Sequence, residues 1–365
     1  MAKKKFKFKD NLTVILAIVL IIIAVAYYFY KDSSKTPDNG GTGGGNSVIT
    51  GTSVTPTGEL NLHFIDIGQG DCIFIEFPDG NCMLIDSGDT KKANATKIVN
   101  YVSELGYQEI TFLLATHSDA DHIGNMVDVF ENFEVKYCFR PFVYSSNANS
   151  ASFSEQFNPK AQVSNAFKCE TATYYKFLNS LLNEGCGWEF VNKDSDFEST
   201  FNLNDKQLSY TFDFLSPTDD IPYVAYSDPN DYSPICILSY GEFEIMFTGD
   251  ASTSVENHVI NYPEYSERFS KLDALKVGHH GSDTSTSQLL VDTIKPSYAI
   301  IQCGVDNKYN HPMQSVLTRL YNCGTLVYRT DLHGDVVLKV DAFGKPNFVA
   351  QNDVEQKYVY IGNDV

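Results

Sequence analysis

The sequence predicts an α/β fold of layered sheets behind a single N-terminal membrane segment, and three observations carry that prediction. From residue 59 onwards, short apolar runs of strand length alternate with stretches of helical spacing, the pattern of sheets covered by helices. Residues 12–30, LTVILAIVLIIIAVAYYFY, hold no charge. Three of the apolar runs finish in aspartate or histidine, in "ATHSDADH", "FTGD" and "VGHHGS". The ends of strands are where layered α/β folds gather their sites.

Residues 1–11, MAKKKFKFKDN, carry five lysines and one aspartate and read as a cytoplasmic basic tail. At ~1.5 Å per residue, the uncharged run 12–30 just reaches across a hydrocarbon core of ~30 Å. Its closing Tyr27, Tyr28, Phe29 and Tyr30 suit the far interface. Ala24-Val25-Ala26 would serve a signal peptidase, but bulky aromatics follow directly, so the segment is read as an uncleaved anchor. The expected product is a single-pass protein of the cell membrane with its C-terminal domain outside. Residues 31–58, rich in Gly, Ser, Thr and Pro, read as a flexible tether.

Residues 59–365 are expected to form one domain. "LNLHFIDIG", "CIFIEF" and "CMLID" are strands, with Asp79-Gly80 marking a tight hairpin. "KKANATKIVNYVSELG" has helical spacing through Ile98, Val99, Val102 and Leu105 and stops at Gly106. "ITFLLATH" is a strand and "NMVDVFENF" a helix. From about 131 to 232 the pattern blurs apart from one helix, "TATYYKFLNSLLNEG", and the stretch reads as a decorated insertion over the site. A hairpin turning at Tyr240-Gly241 follows, then a helical stretch near 252–269. The strands "LDALKVG", "YAIIQCG", "TLVYRT" and "GDVVLKV" and the helices "QLLVDTI" and "QSVLTRLYNCG" complete the chain. "CMLIDSGD" and "EIMFTGDA" echo each other, as if two similar halves meet.

The net charge of −19, made more acidic still outside the basic tail, argues against general nucleic-acid binding. It leaves room for a local site where a metal supplies positive charge. The eight cysteines form no C-x-x-C pair. Cys72, Cys82 and Cys236 lie in apolar runs and read as buried thiols, whereas Cys138, Cys169 and Cys186 are candidates for a disulfide outside the cell.

"HSDADH" places His117, Asp119, Asp121 and His122 within six positions directly after a strand. Ser118 or Asp119 would cap the following helix, but a cap needs one residue and four are present. Carboxylates and imidazoles are costly to bury unpaired, so the loop calls for a cation. Alternate residues of an extended loop point one way, which lets a single loop feed two metals. Asp250, after Gly249, and the pair His279-His280 end two further strands. "GQGD" at 68–71 lacks the Gly-Lys-Ser/Thr ending of a phosphate loop and reads as a tight strand connection.

Six ordered motifs, "LHFIDIGQGDCIFIEFPDGNCMLIDSGD", "THSDADHIGN", "NDYSPICILSYGEFEIMFTGD", "LDALKVGHHGS", "YAIIQCGVDNKYNHP" and "VYRTDLHGDV", resemble the metallo-β-lactamase domain of ComEC-type DNA-internalisation competence proteins. Phosphorylcholine esterases on the same fold look similar too. The resemblance spans about residues 60–342 and implies an αββα sandwich with metals at one edge between its sheets. It implies that His117 and Asp119 hold one metal, Asp121 and His122 the other, and that Asp250 bridges them. One of His279 and His280 would complete the second metal's ligands while its neighbour faces substrate. Asp86 would brace the ligand loop from behind, and His311 would stand near the substrate. The wider superfamily writes H-x-H-x-D-H where this chain has Asp119, as the ComEC-like branch does. It also supplies a further histidine before the bridging aspartate, yet residues 123–249 contain none; Asn230 or Asp231 is the candidate substitute.

The expected cofactors are two divalent ions, Zn²⁺ or Mn²⁺, oxygen-rich coordination favouring the latter. A hydroxide shared by cations ~3.5–4 Å apart would attack a phosphodiester, with Asp121, His279 and His311 as the catalytic candidates. The substrates implied are DNA or a phosphocholine-type ester of the cell envelope. Some of the 22 tyrosines and 25 phenylalanines would then cage a quaternary ammonium. The competing reading is a non-catalytic envelope binding module on the same fold.

Overall fold

A computed structural model of the chain describes residues 54–150, 152–154, 156–158, 167–218, 226–269 and 272–364. The basic tail, the expected anchor and most of the expected tether lie outside the described residues. Among those described, no helix is long and apolar enough to cross a membrane.

The chain opens with β1 (Leu60–Phe64), β2 (Ile73–Glu76) and β3 (Cys82–Ile85), continues through α1 (Lys92–Glu104) and β4 (Glu109–Leu114), and turns into the short helices α2 (Ala120–Ile123) and α3 (Met126–Asn132). Then come β5 (Glu134–Arg140), β6 (Val143–Ser145), β7 (Phe167–Cys169), α4 (Ala172–Glu184), β8 (Gly187–Phe190), β9 (Phe197–Leu203) and β10 (Lys206–Phe214). The second half runs through β11 (Cys236–Tyr240), β12 (Phe243–Phe247), α5 (Thr253–Ile260), β13 (Ala274–Lys276), α6 (Gln288–Ile294), β14 (Tyr298–Ile301), α7 (Gln314–Cys323), β15 (Leu326–Arg329), α8 (Thr330–His333), β16 (Val336–Val340), β17 (Pro346–Ala350) and α9 (Gln356–Val359).

Two large sheets result. One has the order β17-β16-β1-β2-β3-β4-β5-β8, the other β15-β14-β13-β12-β11-β10-β9. Because successive strand residues point to opposite faces, the central strands feed two cores. Ile73, Ile75, Met83, Ile85, Phe112 and Leu114 of the first sheet meet Phe212, Leu238, Ile245, Phe247 and Ile300 of the second. Phe74, Leu84 and Leu113 face the other way, onto Ile98, Val102, Phe177 and Leu181 of α1 and α4. Met246, Leu275 and Ile301 likewise pack on Val255, Val291 and Leu317 of α5, α6 and α7. Three cores between four layers make the mixed α/β sandwich.

The segment 131–232 is more integral than an insertion. It gives β5 and β8 to the edge of the first sheet and β9 and β10 to the edge of the second. β9 and β10 pair in register from Phe197↔Phe212 to Leu203↔Lys206. Their apolar residues alternate with exposed polar ones, since edge strands have a face in water, and that made the stretch look irregular. All eight cysteines are free thiols, so the disulfide candidates Cys138, Cys169 and Cys186 are unpaired.

Candidate metal centre

β4 is buried, and beyond it the chain bends across the sheet edge at Thr116. His117 and His122 are fully buried there. Asp119 occupies the N-cap position of α2 but makes no side-chain capping bond, so a helix cap does not account for the loop. Behind it stands Asp86, which takes a left-handed backbone (φ 57°) directly after β3. Its Oδ1 accepts from the Thr116 N–H at 2.9 Å and its Oδ2 from Thr116 Oγ1 at 2.6 Å. Oδ2 also faces His122 Nδ1 at 2.7 Å, which turns His122 Nε2 outward.

The second half supplies its groups across a gap between the sheets. Asp250 follows Gly249, whose φ of 47° and closeness to Ser233 (a Cβ would stand 2.8 Å from the Ser233 Cβ) leave no room for a side chain. Asp250 Oδ2 lies 3.2 Å from His122 Nε2 and 3.5 Å from Nε2 of both His279 and His280. His279 and His280 both adopt left-handed conformations, φ 48° and 55°. Such backbone costs on the order of 1–3 kcal/mol per residue and collects at functional sites. It sends the neighbouring side chains apart: His280 is buried, 3.2 Å from His122 Nε2 and 3.6 Å from Asp121 Oδ2, while His279 stays a quarter exposed.

Donor atoms of His117, His122 and Asp250 all lie within 4.8 Å of one another, as do those of Asp121, His122 and His280. His117 Nε2 and Asp250 Oδ1 are buried and make no hydrogen bond. Leaving such groups unpaired costs about 1–3 kcal/mol each, more for a charged one. Nitrogen and carboxylate donors at this spacing fit divalent cations. Burial opposes charge on His122 and His280, yet Asp250 with Asp86 holds the first well above its usual range, and Asp250 with Asp71 holds the second at about 10. Burial also opposes ionisation of Asp250, but His122, His280 and His279 keep its carboxylate well below the ordinary range. Divalent cations bound here would balance these carboxylates and displace protons from the rings. Burial and the nearby His122 instead lower His117 to about 3.

Asp119, Asp121, Asp250, His279, His280 and His311 line one pocket of about 200 Å³, together with Gln69, Asn230 and Tyr309. Two further donor groups of this spacing bring in Asp71, one with Asp86 and His122 and one with Asp250 and His280; Asp119 stands outside all four, and burial raises its carboxyl to about 6. Of the two candidate substitutes for the missing histidine, Asn230 reaches the pocket, whereas Asp231 accepts from the Ser252 N–H at 3.2 Å. His311 is buried with its Nδ1 unpartnered. Its backbone is clamped, the N–H donating to Asn307 Oδ1 at 2.9 Å and the carbonyl accepting from Asn363 Nδ2 at 2.6 Å.

Three residues of the site were not legible as such. Gln69 accepts from the Gly304 N–H at 3.2 Å, which fixes its amide with a buried, unpartnered Nε2. Asp71 and Lys276 form a buried ion pair beside His280. A lysine inside the apolar strand "ALKVG" was the available signal, because a lysine is almost never buried without a partner.

Residues 65–305 match the Metallo-beta-lactamase superfamily family. ComE operon protein 3 of Bacillus subtilis is 28% identical over 295 residues, 76% of this chain and 32% of that protein. Competence protein ComA of Neisseria gonorrhoeae is 24% identical over 279 residues, again 76% and 32%. The chain thus spans about a third of the length of these relatives. A solved diphosphatase of the PhnP family shares 13% identity at a TM-score of 0.33, covering 64% of this chain and 72% of that one. The resemblance to ComEC-type competence proteins read from the six motifs is borne out by these relatives.

Proposed function

The chain belongs to the metallo-beta-lactamase superfamily, and from that premise we propose that it is a metal-dependent phosphodiesterase, anchored in the cell membrane with this domain outside. In this reading His117, Asp119 and Asn230 serve one Zn²⁺ or Mn²⁺, Asp121, His122 and His280 serve the other, and Asp250 is shared. The observation that carries it is the set of overlapping donor clusters that meet at His122, with Asp250 Oδ2 3.2 Å from its Nε2 and with buried donor atoms that have no other partner. Two cations bound there would neutralise phosphoryl oxygens and supply an activated water near neutral pH.

With cations offsetting Asp119, Asp121 and Asp250, the pocket's remaining polar groups would suit an anion. Gln69 Nε2 donates to a phosphoryl oxygen. His279, held by Thr284 Oγ1 at 3.0 Å through Nδ1, faces the pocket with Nε2 and gives a proton to the leaving oxygen. His311, its ring centre 5.7 Å from that of His279, steadies the same group. Tyr309 is the one tyrosine, phenylalanine or tryptophan in the pocket wall among the described residues. A quaternary-ammonium cage uses several rings, so the wall favours a DNA phosphodiester over a phosphocholine ester. The competence relatives point the same way, and the acidic surface confines DNA to local contact.

The 365-residue chain should bind close to two ions and hydrolyse bis-p-nitrophenyl phosphate, and single-stranded DNA faster than p-nitrophenyl phosphorylcholine. His279→Gln should lower kcat by about 10²–10⁴-fold with both ions retained. A folded chain that takes up neither Zn²⁺ nor Mn²⁺ and turns over none of these esters would instead be a binding module.

A further inference from the structure

Below the pocket floor, the two halves of the domain meet in a buried ion pair. Asp71 comes from the turn before β2 and Lys276 from the end of β13. Strand alternation puts Lys276 on the face that Ala274 turns towards the other sheet. Its Nζ lies 2.7 Å from Asp71 Oδ2 and also donates to the Val277 carbonyl at 3.0 Å. Both side chains are buried. Such a pair is weak evidence for stability, since well-packed apolar residues often replace one at no loss. Its value has to be sought in what it holds.

Asp71 Oδ1 is buried, and no group donates to it in good geometry, although His280 Nδ1 stands 3.2 Å away. His280 Nδ1 also faces the Gln302 carbonyl at 3.0 Å. Both neighbours of Nδ1 are acceptors, so the ring is held with Nε2 turned towards Asp121, Asp250 and His122. The same turn is laced to the ligand loop. The Asp71 N–H donates to the Asp121 carbonyl at 3.2 Å, and a Cβ on Gly70 would collide with that carbonyl oxygen. Asp71 thus touches the supports of two donors of one cluster, Asp121 and His280.

We propose that Asp71 and Lys276 are positioning residues for the second metal position: Asp71 holds the Asp121 carbonyl through its N–H and, with its Oδ1 beside Nδ1, acts together with the Gln302 carbonyl to orient the His280 ring, while Lys276 anchors the far oxygen of Asp71. His280 depends on this because its left-handed backbone (φ 55°, ψ 19°) does not by itself select a rotamer that reaches Asp121. The inference rests on the two-metal reading and assigns Asp71, whose donor atom also lies near those of His122, His280 and Asp250, to positioning because Lys276 occupies its Oδ2.

The test measures stepwise Mn²⁺ and Zn²⁺ affinity of the whole 365-residue chain by competition with a chromophoric chelator. Asp71→Asn should weaken the second ion by about 10–100-fold and leave the first unchanged. Lys276→Met alone strands a buried carboxylate and risks misfolding, so the double variant Asp71→Asn/Lys276→Met is measured beside it. The double variant should melt close to wild type without added metal, yet show the same selective loss. Unchanged second-ion affinity in Asp71→Asn and in the double variant overturns the inference alone. A wild-type chain that binds fewer than two ions overturns both it and the two-metal reading.

Discussion

The stretch from β2 to β4 and the stretch from β11 to β13 are built alike: an antiparallel hairpin, a helix, then a strand parallel to the hairpin's second strand. In both, a histidine stands three residues beyond the end of that last strand, His117 after Leu114 and His279 after Lys276. Their burial differs. His117 is sealed in, whereas His279 opens to the pocket and hands the buried place to His280. The hairpins differ more. Asp86 follows β3 at once and braces His122 from behind, while Asp250 stands three residues beyond β12 and points into the donor cluster. Equal scaffolds therefore deliver unequal chemistry, decided by how many residues separate a carboxylate from its strand and by which residue takes the left-handed turn. In the first half that residue is Asp86 itself; in the second it is Gly249.

Removing Asp250 should give the largest effect. Its Oδ2 faces three imidazoles within 3.5 Å, and its Oδ1 has no partner in the protein. Asp250→Ala removes the carboxylate that lies within 3.5 Å of His122, His279 and His280, so bound metal should fall from two ions to at most one and turnover to background. Elemental analysis of the folded variant checks this. Two ions retained with Asp250 gone would mean that the second half contributes histidines alone.

The equivalent change in the first half should weaken the site without emptying it. In Asp86→Asn one oxygen becomes an NH₂ group, which must face either the Thr116 N–H or the ring that Asp86 Oδ2 now meets at 2.7 Å. His122 would then favour the other tautomer and withdraw its Nε2 lone pair. Metal affinity should drop about 10–100-fold, read by chelator competition, and excess metal should restore part of the turnover. Complete loss of both ions, as in Asp250→Ala, would erase the distinction between bracing and ligating.

The contrast explains what the sequence could disclose. Four donor residues crowded into "HSDADH" stand out because a helix cap uses one residue at most, and two of them, His117 and His122, are fully buried; the sandwich follows from strands that alternate with helices. The choice between His279 and His280 was hidden, since a pair of left-handed residues breaks the alternation from which facing is read. Asp71 and Lys276 were hidden because their meaning lies in one contact across 205 positions of chain. The edge strands β9 and β10 were hidden because half of each faces water.

The smallest expected effect is the one that tests how the halves correspond. Aligning "DSGD" with "FTGD" by their shared Gly-Asp sets Asp89 opposite Asp250; counting from the strand ends instead sets Gly88 there. The structure favours counting. Asp89 Oδ1 accepts from the N–H of Thr90 at 2.7 Å and from its hydroxyl at 3.2 Å, and Lys91 stands 3.5 Å from Oδ2. All of these are local turn contacts on a partly exposed side chain, and such ion pairs contribute little in water. Asp89→Ala should therefore shift stability by about 0.5 kcal/mol or less and leave ion stoichiometry and turnover at wild-type values. Losing an ion from that variant would show that the repeated Gly-Asp carries a repeated function, and the asymmetry drawn between the halves would fall.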